Sequence, residues 1–432
     1  MANPSYILRG ALVIDPSNGV HEVRDIAVCH GRIVPVSAAH GAAVVELPGL
    51  VLTPGLIDLH THLREPGQSD KETIASGTRA AAAGGYTTVV AMPNTQPPID
   101  TCERLAEVLE RVRRNAVVRV LQTAALSRDR KGRELTDARA LAGAGAGALT
   151  DDGSCIQDES LMRRALEQAR AAGLPVIDHC EDETLAASGV MHPGVVAREL
   201  GLAGKSAASE EVVVARNGRL ALETGWPVHM QHLSSAGSVN EVRQALSRGA
   251  PVSAEVTPHN LALTEEACRT CGTNAKMNPP LRTEADRQAL IAGLQDGTIG
   301  VIATDHAPHT QAEKARDFAT APFGVIGLES AVPVCLTLLY HSGILGLSQL
   351  VSKLTLGPKQ VLGLSQGSLE CGAPADITIL DMNREFVLDA SQFRSLARNC
   401  PFHGWNCRGK AVATMVAGEW VFSELPHVTG RV

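Results

Sequence analysis

The sequence predicts an α/β fold, a (β/α)8 barrel carrying a small β-sandwich domain formed by both chain ends. Three observations predict it. Apolar segments of strand type alternate with helical segments eight times through the middle of the chain. Both ends read instead as short strands separated by turns. The length, 432 residues, exceeds one small domain but accommodates a barrel of about 250 residues and an accessory domain. The expected division is 1–52 for the first part of the sandwich, 53–365 for the barrel and 366–432 for the rest of the sandwich.

Taken in order, Tyr6-Ile7-Leu8 and Ala11-Leu12-Val13-Ile14 precede a turn at Asp15-Pro16-Ser17-Asn18-Gly19. Ile26-Ala27-Val28 and Ile33-Val34-Pro35-Val36 flank His30-Gly31. Barrel strands are expected near 55–59, 87–92, 117–124, 146–150, 174–178, 227–231, 251–255 and 299–303. Helices are expected between them at 70–83, 101–114, 134–143, 158–172, 206–223, 237–248 and 283–295, with an eighth at about 327–341. The far end returns to strands at Ala375–Leu380, Val412–Val416 and Glu419–Phe422.

Composition narrows the function. Apolar residues make up 44% and charged residues 20%, which suits a large buried core. Aromatics are scarce at 3%, and the net charge is −7 with no basic run, so nucleic-acid binding is not expected. No apolar stretch reaches the length of a membrane span. The start, Met1-Ala2-Asn3-Pro4-Ser5-Tyr6, lacks a basic region followed by an apolar one, so a signal peptide is not expected. The ten cysteines are scattered. Only Cys268 and Cys271 form a C-x-x-C, which reads as a surface loop, and the thiols fit a reducing cytoplasm.

The residues just past each strand carry the chemistry. The first strand ends in His60-Thr61-His62-Leu63-Arg64. Alternate strand residues share a face, so His60 and His62 direct two imidazoles at one metal ion. If the strand continues, Arg64 adds a guanidinium beside it, a bidentate clamp for a carboxylate. The later strands lead into Met92-Pro93-Asn94-Thr95, Thr150-Asp151-Asp152-Gly153, Asp178-His179-Cys180-Glu181, Gln231-His232-Leu233-Ser234, Thr257-Pro258-His259-Asn260 and Thr304-Asp305-His306-Ala307-Pro308-His309. A barrel builds its active site from these carboxyl ends. Metal-type residues after several strands therefore converge on one face, where they suit metal-assisted hydrolysis of an anionic substrate.

At these residues the chain resembles the amidohydrolase superfamily, and within it the longer bacterial dihydroorotases. The resemblance spans essentially the whole chain. It rests on Pro54-Gly55-Leu56-Ile57-Asp58, His60-Thr61-His62-Leu63-Arg64, Met92-Pro93-Asn94-Thr95, Met277-Asn278-Pro279-Pro280-Leu281-Arg282, Asp305-His306-Ala307-Pro308-His309 and Gly372-Ala373-Pro374-Ala375-Asp376. It implies the amidohydrolase type of TIM barrel and two Zn2+ ions per subunit. His60, His62 and Asp305 would hold the first, His179 and His232 the second, and a carboxylate would bridge them. Many relatives bridge with a carboxylated lysine. Here Ala148–Gly153 has none, and Asp152 is the choice, with Asp151 as the alternative. Asp305 would also move the proton. Substrate contacts would come from His62, Arg64, Asn94, Asn278, His309, Phe323 and Gly324.

The implied reaction is the reversible, zinc-dependent cyclisation of N-carbamoyl-L-aspartate to (S)-dihydroorotate in pyrimidine biosynthesis. The implied partners are that small molecule, a second copy in a homodimer, and aspartate transcarbamoylase. The rival readings are another cyclic amidase (dihydropyrimidinase, hydantoinase or allantoinase) and a non-catalytic scaffold for aspartate transcarbamoylase. His259 and His306 are read as supporting residues. Asp178, Glu181 and Glu255 are candidates to hold the outer nitrogens of metal-binding histidines. The polar stretch 309–318 reads equally as a lid and as a solvated loop.

Overall fold

A computed structural model describes residues 4–431, and the barrel in it follows the chain. Leu56–Thr61, Tyr86–Ala91 and Arg119–Gln122 pair in parallel. Val176–Asp178, Val228–Met230, Val252–Val256 and Val301–Ile302 form a second parallel run. Leu149 joins the two runs by bridging to Ala124 and to Val176. Thr61 bridges to His306, which closes the ring between first and last strands. The leader expectation rests partly on Met1, Ala2 and Asn3, which lie outside the described residues.

Strand four is reduced to this single bridging residue. Its run, Gly143-Ala144-Gly145-Ala146-Gly147-Ala148, has no β-branched side chain to favour an extended ladder. It still hydrogen-bonds on both sides, Gly147 N to Gln122 O at 2.8 Å and Leu149 N to Pro175 O at 3.0 Å.

The helices start where side chains can satisfy free backbone N–H groups. Thr73 with Ser76 and Thr283 with Asp286 form reciprocal capping boxes, and Asp158 caps Glu159–Ala172. That helix buries Leu161, Met162, Ala165, Leu166 and Ala169, one apolar stripe at helical spacing. The expected helix at 327–341 is instead α-helical over Ala331–Cys335 and widens to a π-helix over Leu336–Tyr340. Cys268 and Cys271 lie on the short helix Ala267–Cys271 rather than in a surface loop. Cys268 is buried because it packs in an apolar cluster with Met277 and Leu281.

Both chain ends share one β-rich domain. A six-stranded sheet runs in the order Glu419–Ser423, Asn406–Val416, Ile377–Val387, Val51–Pro54, Leu12–Asp15, Val20–Val23. A four-stranded sheet holds Arg32–Val34, Ile26–Cys29, Tyr6–Arg9 and Ala43–Glu46. One core between them draws Leu8, Val28 and Leu52 from one end, and Ile379, Met415 and Trp420 from the other. The expected boundary at 52/53 falls inside Val51–Pro54, which pairs with strands from both ends. Gly55 then carries the chain into the barrel, and a Cβ there would lie 2.1 Å from Thr87 Oγ1.

The joint between domain and barrel is polar and paired. Arg119, at the start of the third barrel strand, forks onto Asp376, Nε to Oδ2 at 2.8 Å and Nη2 to Oδ1 at 3.3 Å. Asp376 is buried and also accepts from Ala417 N at 2.7 Å. Removing the fork leaves a buried carboxylate short of donors, which costs about 1–3 kcal/mol. Arg119→Met is therefore expected to lower unfolding stability by about that amount. Urea denaturation checks it, and an unchanged midpoint would show that the fork does not hold the joint.

Candidate metal centre and active site

Closure of the barrel brings the first and last strands together at a buried carboxylate. Asp58 accepts from His60 N at 3.2 Å, Thr304 N at 3.0 Å and Thr304 Oγ1 at 2.6 Å. His62 N in turn donates to His306 O at 2.9 Å. His60 and His62 thus stand beside Asp305, although they are far apart in sequence. The strand ends at Thr61, so Arg64 does not continue it as expected. Its φ of +61° turns the chain instead. His232 and Asp305 also have positive φ, at +31° and +46°, so three site residues hold strained backbone.

The imidazoles and carboxylates meet at short range. His60 Nε2 lies 3.1 Å from Asp152 Oδ1 and 3.5 Å from Asp305 Oδ1. His62 Nε2 lies 3.0 Å from Asp305 Oδ1 and 3.6 Å from Asp152 Oδ2. His179 Nδ1 is 2.9 Å from His232 Nε2 and 3.8 Å from Asp152 Oδ1. Among the described residues, two triplets have donor atoms all within 4.8 Å of one another: His60, His62 and Asp305, and His60, Asp152 and His232. His60 belongs to both triplets and His179 to neither. Asp151 faces away, accepting from Ser127 N at 3.0 Å and from the Ser127 hydroxyl.

Charges within the site compensate one another. Burial opposes charge on His60, but Asp152 and Asp305 outweigh it and hold its pKa well above the ordinary value. Burial likewise opposes ionisation of Asp152 and Asp305, yet the neighbouring histidines, His60 foremost, keep both carboxyls below their usual range. Burial and the charges of His179 and His60 push His232 down to about 3. The carboxylates thus demand a positive charge. A divalent cation held among them would meet that demand. Buried imidazole and carboxylate donors in this number fit a metal such as zinc.

The outer nitrogens have partners. Glu255 Oε1 accepts from His60 Nδ1 at 2.9 Å, and its other oxygen is 3.0 Å from His229 Nε2. Asn94 bridges His62 Nδ1, at 2.9 Å, and Asp152 Oδ2, at 3.2 Å. Glu181 lies 3.8 Å from His179 Nε2. Asp178 turns away to Asn217 Nδ2 at 2.6 Å. His306 also turns away, its Nδ1 accepting from Gly327 N at 3.2 Å. His259 is buried, and burial pushes it down to about 4.

A cavity of about 190 Å³ opens over these groups. His62, Arg64, Asn94, Asp152, His179, His232, Asn278, Asp305, His309, Phe323 and Gly324 line it. Of the residues expected from the sequence, only His60 is absent from the wall, being fully buried beneath it. Arg64 Nε donates to Pro308 O at 3.1 Å, and burial lowers its pKa only to about 10, so it stays charged. His309 Nε2 donates to Phe323 O at 2.7 Å. Burial and the Arg64 charge push His309 down to about 3, which keeps its ring neutral.

Three buried lysines escaped the sequence reading. Lys276 Nζ donates to Phe318 O, Ala319 O and Ala321 O at 2.5, 3.2 and 2.6 Å. Lys314 Nζ donates to Lys276 O, Pro322 O and Gly324 O at 3.4, 3.1 and 2.9 Å. Lys205 Nζ meets Glu181 Oε2 at 2.8 Å. The expected lid or loop at 309–318 contains the short helix Gln311–Lys314, and Lys314 inside it is buried. The only local signal was position: Lys276 adjoins Met277-Asn278, and Lys314 lies in the polar stretch.

The family pattern described as Dihydro-orotase-like matches residues 49–238. The chain is 47% identical over 404 residues to a dihydroorotase of Geobacillus thermodenitrificans, covering 92% of this chain and 94% of that protein. It is 48% identical over 423 residues to a dihydroorotase of Halalkalibacterium halodurans, covering 97% and 98%. Among solved structures, an L-hydantoinase (dihydropyrimidinase) from Arthrobacter aurescens superposes with a TM-score of 0.87 at 25% identity, over 98% of this chain and 97% of that one. A dihydropyrimidinase from Brevibacillus agri gives 0.85 at 22% identity, over 97% and 95%, a likeness of fold.

The lysine cages generate a prediction. Lys276→Met strips an ammonium from three carbonyl groups and leaves buried acceptors unsatisfied. The expected loss is about 1–3 kcal/mol of stability. Chemical denaturation measures it, and wild-type stability would show that water replaces the ammonium without cost.

Proposed function

The chain belongs to the dihydroorotase family, and from that premise we propose how its site works. The reaction is the reversible cyclisation of N-carbamoyl-L-aspartate to (S)-dihydroorotate and water. One observation carries the proposal: Arg64, Asn94, Asn278 and His309 line the same small cavity as five of the six metal-type side chains. A site of this kind can read a ring carboxylate and hydrolyse a ring amide in one place.

The metal proposed is zinc, two ions per subunit. His60, His62 and Asp305 would hold one, His179 and His232 the other, and Asp152 would be shared. Bound zinc supplies Lewis acidity, polarising a carbonyl and bringing the pKa of water down to about 7. The protein's own groups do the rest. Asp305 stays ionised because the surrounding imidazoles outweigh its burial. As a carboxylate beside the reacting atoms, it would accept the proton of the attacking water and deliver it to the departing ring nitrogen. In the cyclising direction the same carboxyl takes the proton from the ureido nitrogen.

Arg64 offers its planar fork to the ring carboxylate. The neutral His309 adds an N–H, shared with Phe323 O, and Asn94 and Asn278 add amide donors. Backbone groups at Phe323 and Gly324 face the ring amide. Hydantoinase-type amidases share the fold, but dihydrouracil carries no carboxylate for Arg64. Against a scaffold role, every expected metal-binding position keeps a His or Asp side chain. The same reading includes a homodimer, association with aspartate transcarbamoylase, and a cytoplasmic location. Among the described residues no helix is long and apolar enough to cross a membrane.

Purified, zinc-supplemented protein is expected to hydrolyse L-dihydroorotate and to leave dihydrouracil untouched. Arg64→Met is expected to cut kcat/KM for dihydroorotate roughly ten- to hundredfold, as losing a charged hydrogen-bonded contact does. Turnover of dihydrouracil, or an indifferent Arg64→Met, would move the protein to another cyclic amidase.

Proton counting gives a pH test. Cyclisation converts a dianion into a monoanion and water, so it consumes one proton. The equilibrium ratio of dihydroorotate to N-carbamoyl-aspartate is expected to rise about tenfold per pH unit lowered near neutrality, by mass action on that proton. Product ratios measured from both directions check it. A ratio independent of pH would mean a different reaction.

A further inference from the structure

Lys205 is a buried cation next to the cavity wall, in the segment between the helices Val195–Leu200 and Ala208–Thr224. It does not itself line the cavity. Its ammonium reaches two oxygens, Glu181 Oε2 at 2.8 Å and Asn278 Oδ1 at 2.9 Å. It also stands 5.2 Å from the centre of the Phe323 ring. Asn278 and Phe323 are both cavity residues.

An ammonium only donates hydrogen bonds, whereas an amide offers an oxygen on one side and NH2 on the other. Beside Lys205, the Asn278 oxygen must face the lysine. Its NH2 then points the other way, where Nδ2 lies 3.2 Å from His179 Nε2. The lysine fixes the side on which the amide oxygen lies. With it, Asn278 presents a donor to the cavity. A substrate oxygen suits that donor, and a substrate N–H does not. Glu181 balances the lysine's charge, so the effect on the substrate is one of direction rather than net charge.

We propose that Lys205 is a positioning residue for substrate, fixing the Asn278 amide so that its NH2 faces a carboxylate or carbonyl oxygen of the bound ring. Lys205 acts through Asn278 and does not touch the ring. The inference rests on the reading of this cavity as the dihydroorotate site.

A double-mutant cycle tests it, with dihydroorotate as substrate and zinc-loaded full-length protein. Lys205→Met is expected to raise KM about tenfold while kcat changes less than threefold. In an Asn278→Ala background, the same substitution is expected to change kcat/KM less than twofold, since its target is gone. Effects that multiply independently, or an unchanged KM in Lys205→Met, would overturn the proposal and leave Lys205 as an ion-pair partner of Glu181. Asn278→Asp decides the matter should Lys205→Met fail to fold. It keeps an oxygen toward Lys205 and replaces the NH2 with oxygen. It is expected to raise KM at least tenfold, and a wild-type KM would overturn the proposal. If the wild-type protein does not turn over dihydroorotate, the functional reading fails and this inference falls with it. Turnover by wild type with independent effects removes the inference alone.

Discussion

The site depends on how the barrel is closed. Asp58 is fully buried on the first strand and takes hydrogen bonds from the backbone and hydroxyl of Thr304, just past the last strand Val301–Ile302. Burial pushes its carboxyl up to about 7, while the Thr304 and His60 hydrogen bonds pull the other way. Buried carboxylates are costly unless well donated to, so this one fixes the register of the two strands it joins. His60 follows Asp58 by two residues and Asp305 follows Thr304 by one. Slippage of either strand would separate the imidazoles from the carboxylate and undo the metal site. The bridge from Thr61 to His306 and the bond from His62 N to His306 O extend the same closure outward.

Around that closure the protein arranges acids and bases so that each offsets the burial of its neighbours. Asp152 is held in place by Asn94 Nδ2 at 3.2 Å. The chain Ser253–His229–Glu255–His60 runs from below the cavity to the first imidazole, with contacts of 2.8, 3.0 and 2.9 Å. It orients the ring of His60 so that Nε2 faces Asp152 and Asp305. Left-handed backbone at Arg64, His232 and Asp305 shows that the fold accepts local strain to aim these side chains.

Much of this was legible in the sequence because the informative residues are local to strand ends. His60, His62, His179, His232 and Asp305 each follow a β-type run, and a barrel sends all such ends to one face. The β-rich ends were legible from their turns and alternation. The features that the sequence concealed are non-local or weakly patterned. The strand at Leu149 has an Ala/Gly composition with little strand propensity. The pairing of Val51–Pro54 with both chain ends placed a strand across the expected boundary. Lys205 meets Asn278 across 73 residues, and nothing in either local pattern announces the contact. Lysine is usually a surface residue, so periodicity offers no warning that three of them are buried here.

Arg64 and the acids, rather than the lysines, set the charge along the cavity wall. Asp152, Asp305 and Glu255 crowd the end where a metal would sit. Arg64 lies toward Pro308 and His309, while Lys276 stands 4.6 Å from the Phe323 ring and Lys205 5.2 Å from it. Each lysine is tied to protein oxygens, so none is a loose cation able to capture a substrate carboxylate at the wrong place. Arg64 has one backbone bond at Nε and a 3.3 Å contact from Nη2 to His309 Nε2, and the rest of its fork is left for the ligand. On the proposed reading, an anionic ring would enter with its carboxylate toward Arg64 and its amide toward the acid-rich end, so that binding and orientation would be one event. The lysine cages also hold the carbonyl-rich loop around Phe323 and Gly324 in place before substrate arrives, so less order has to be gained on binding.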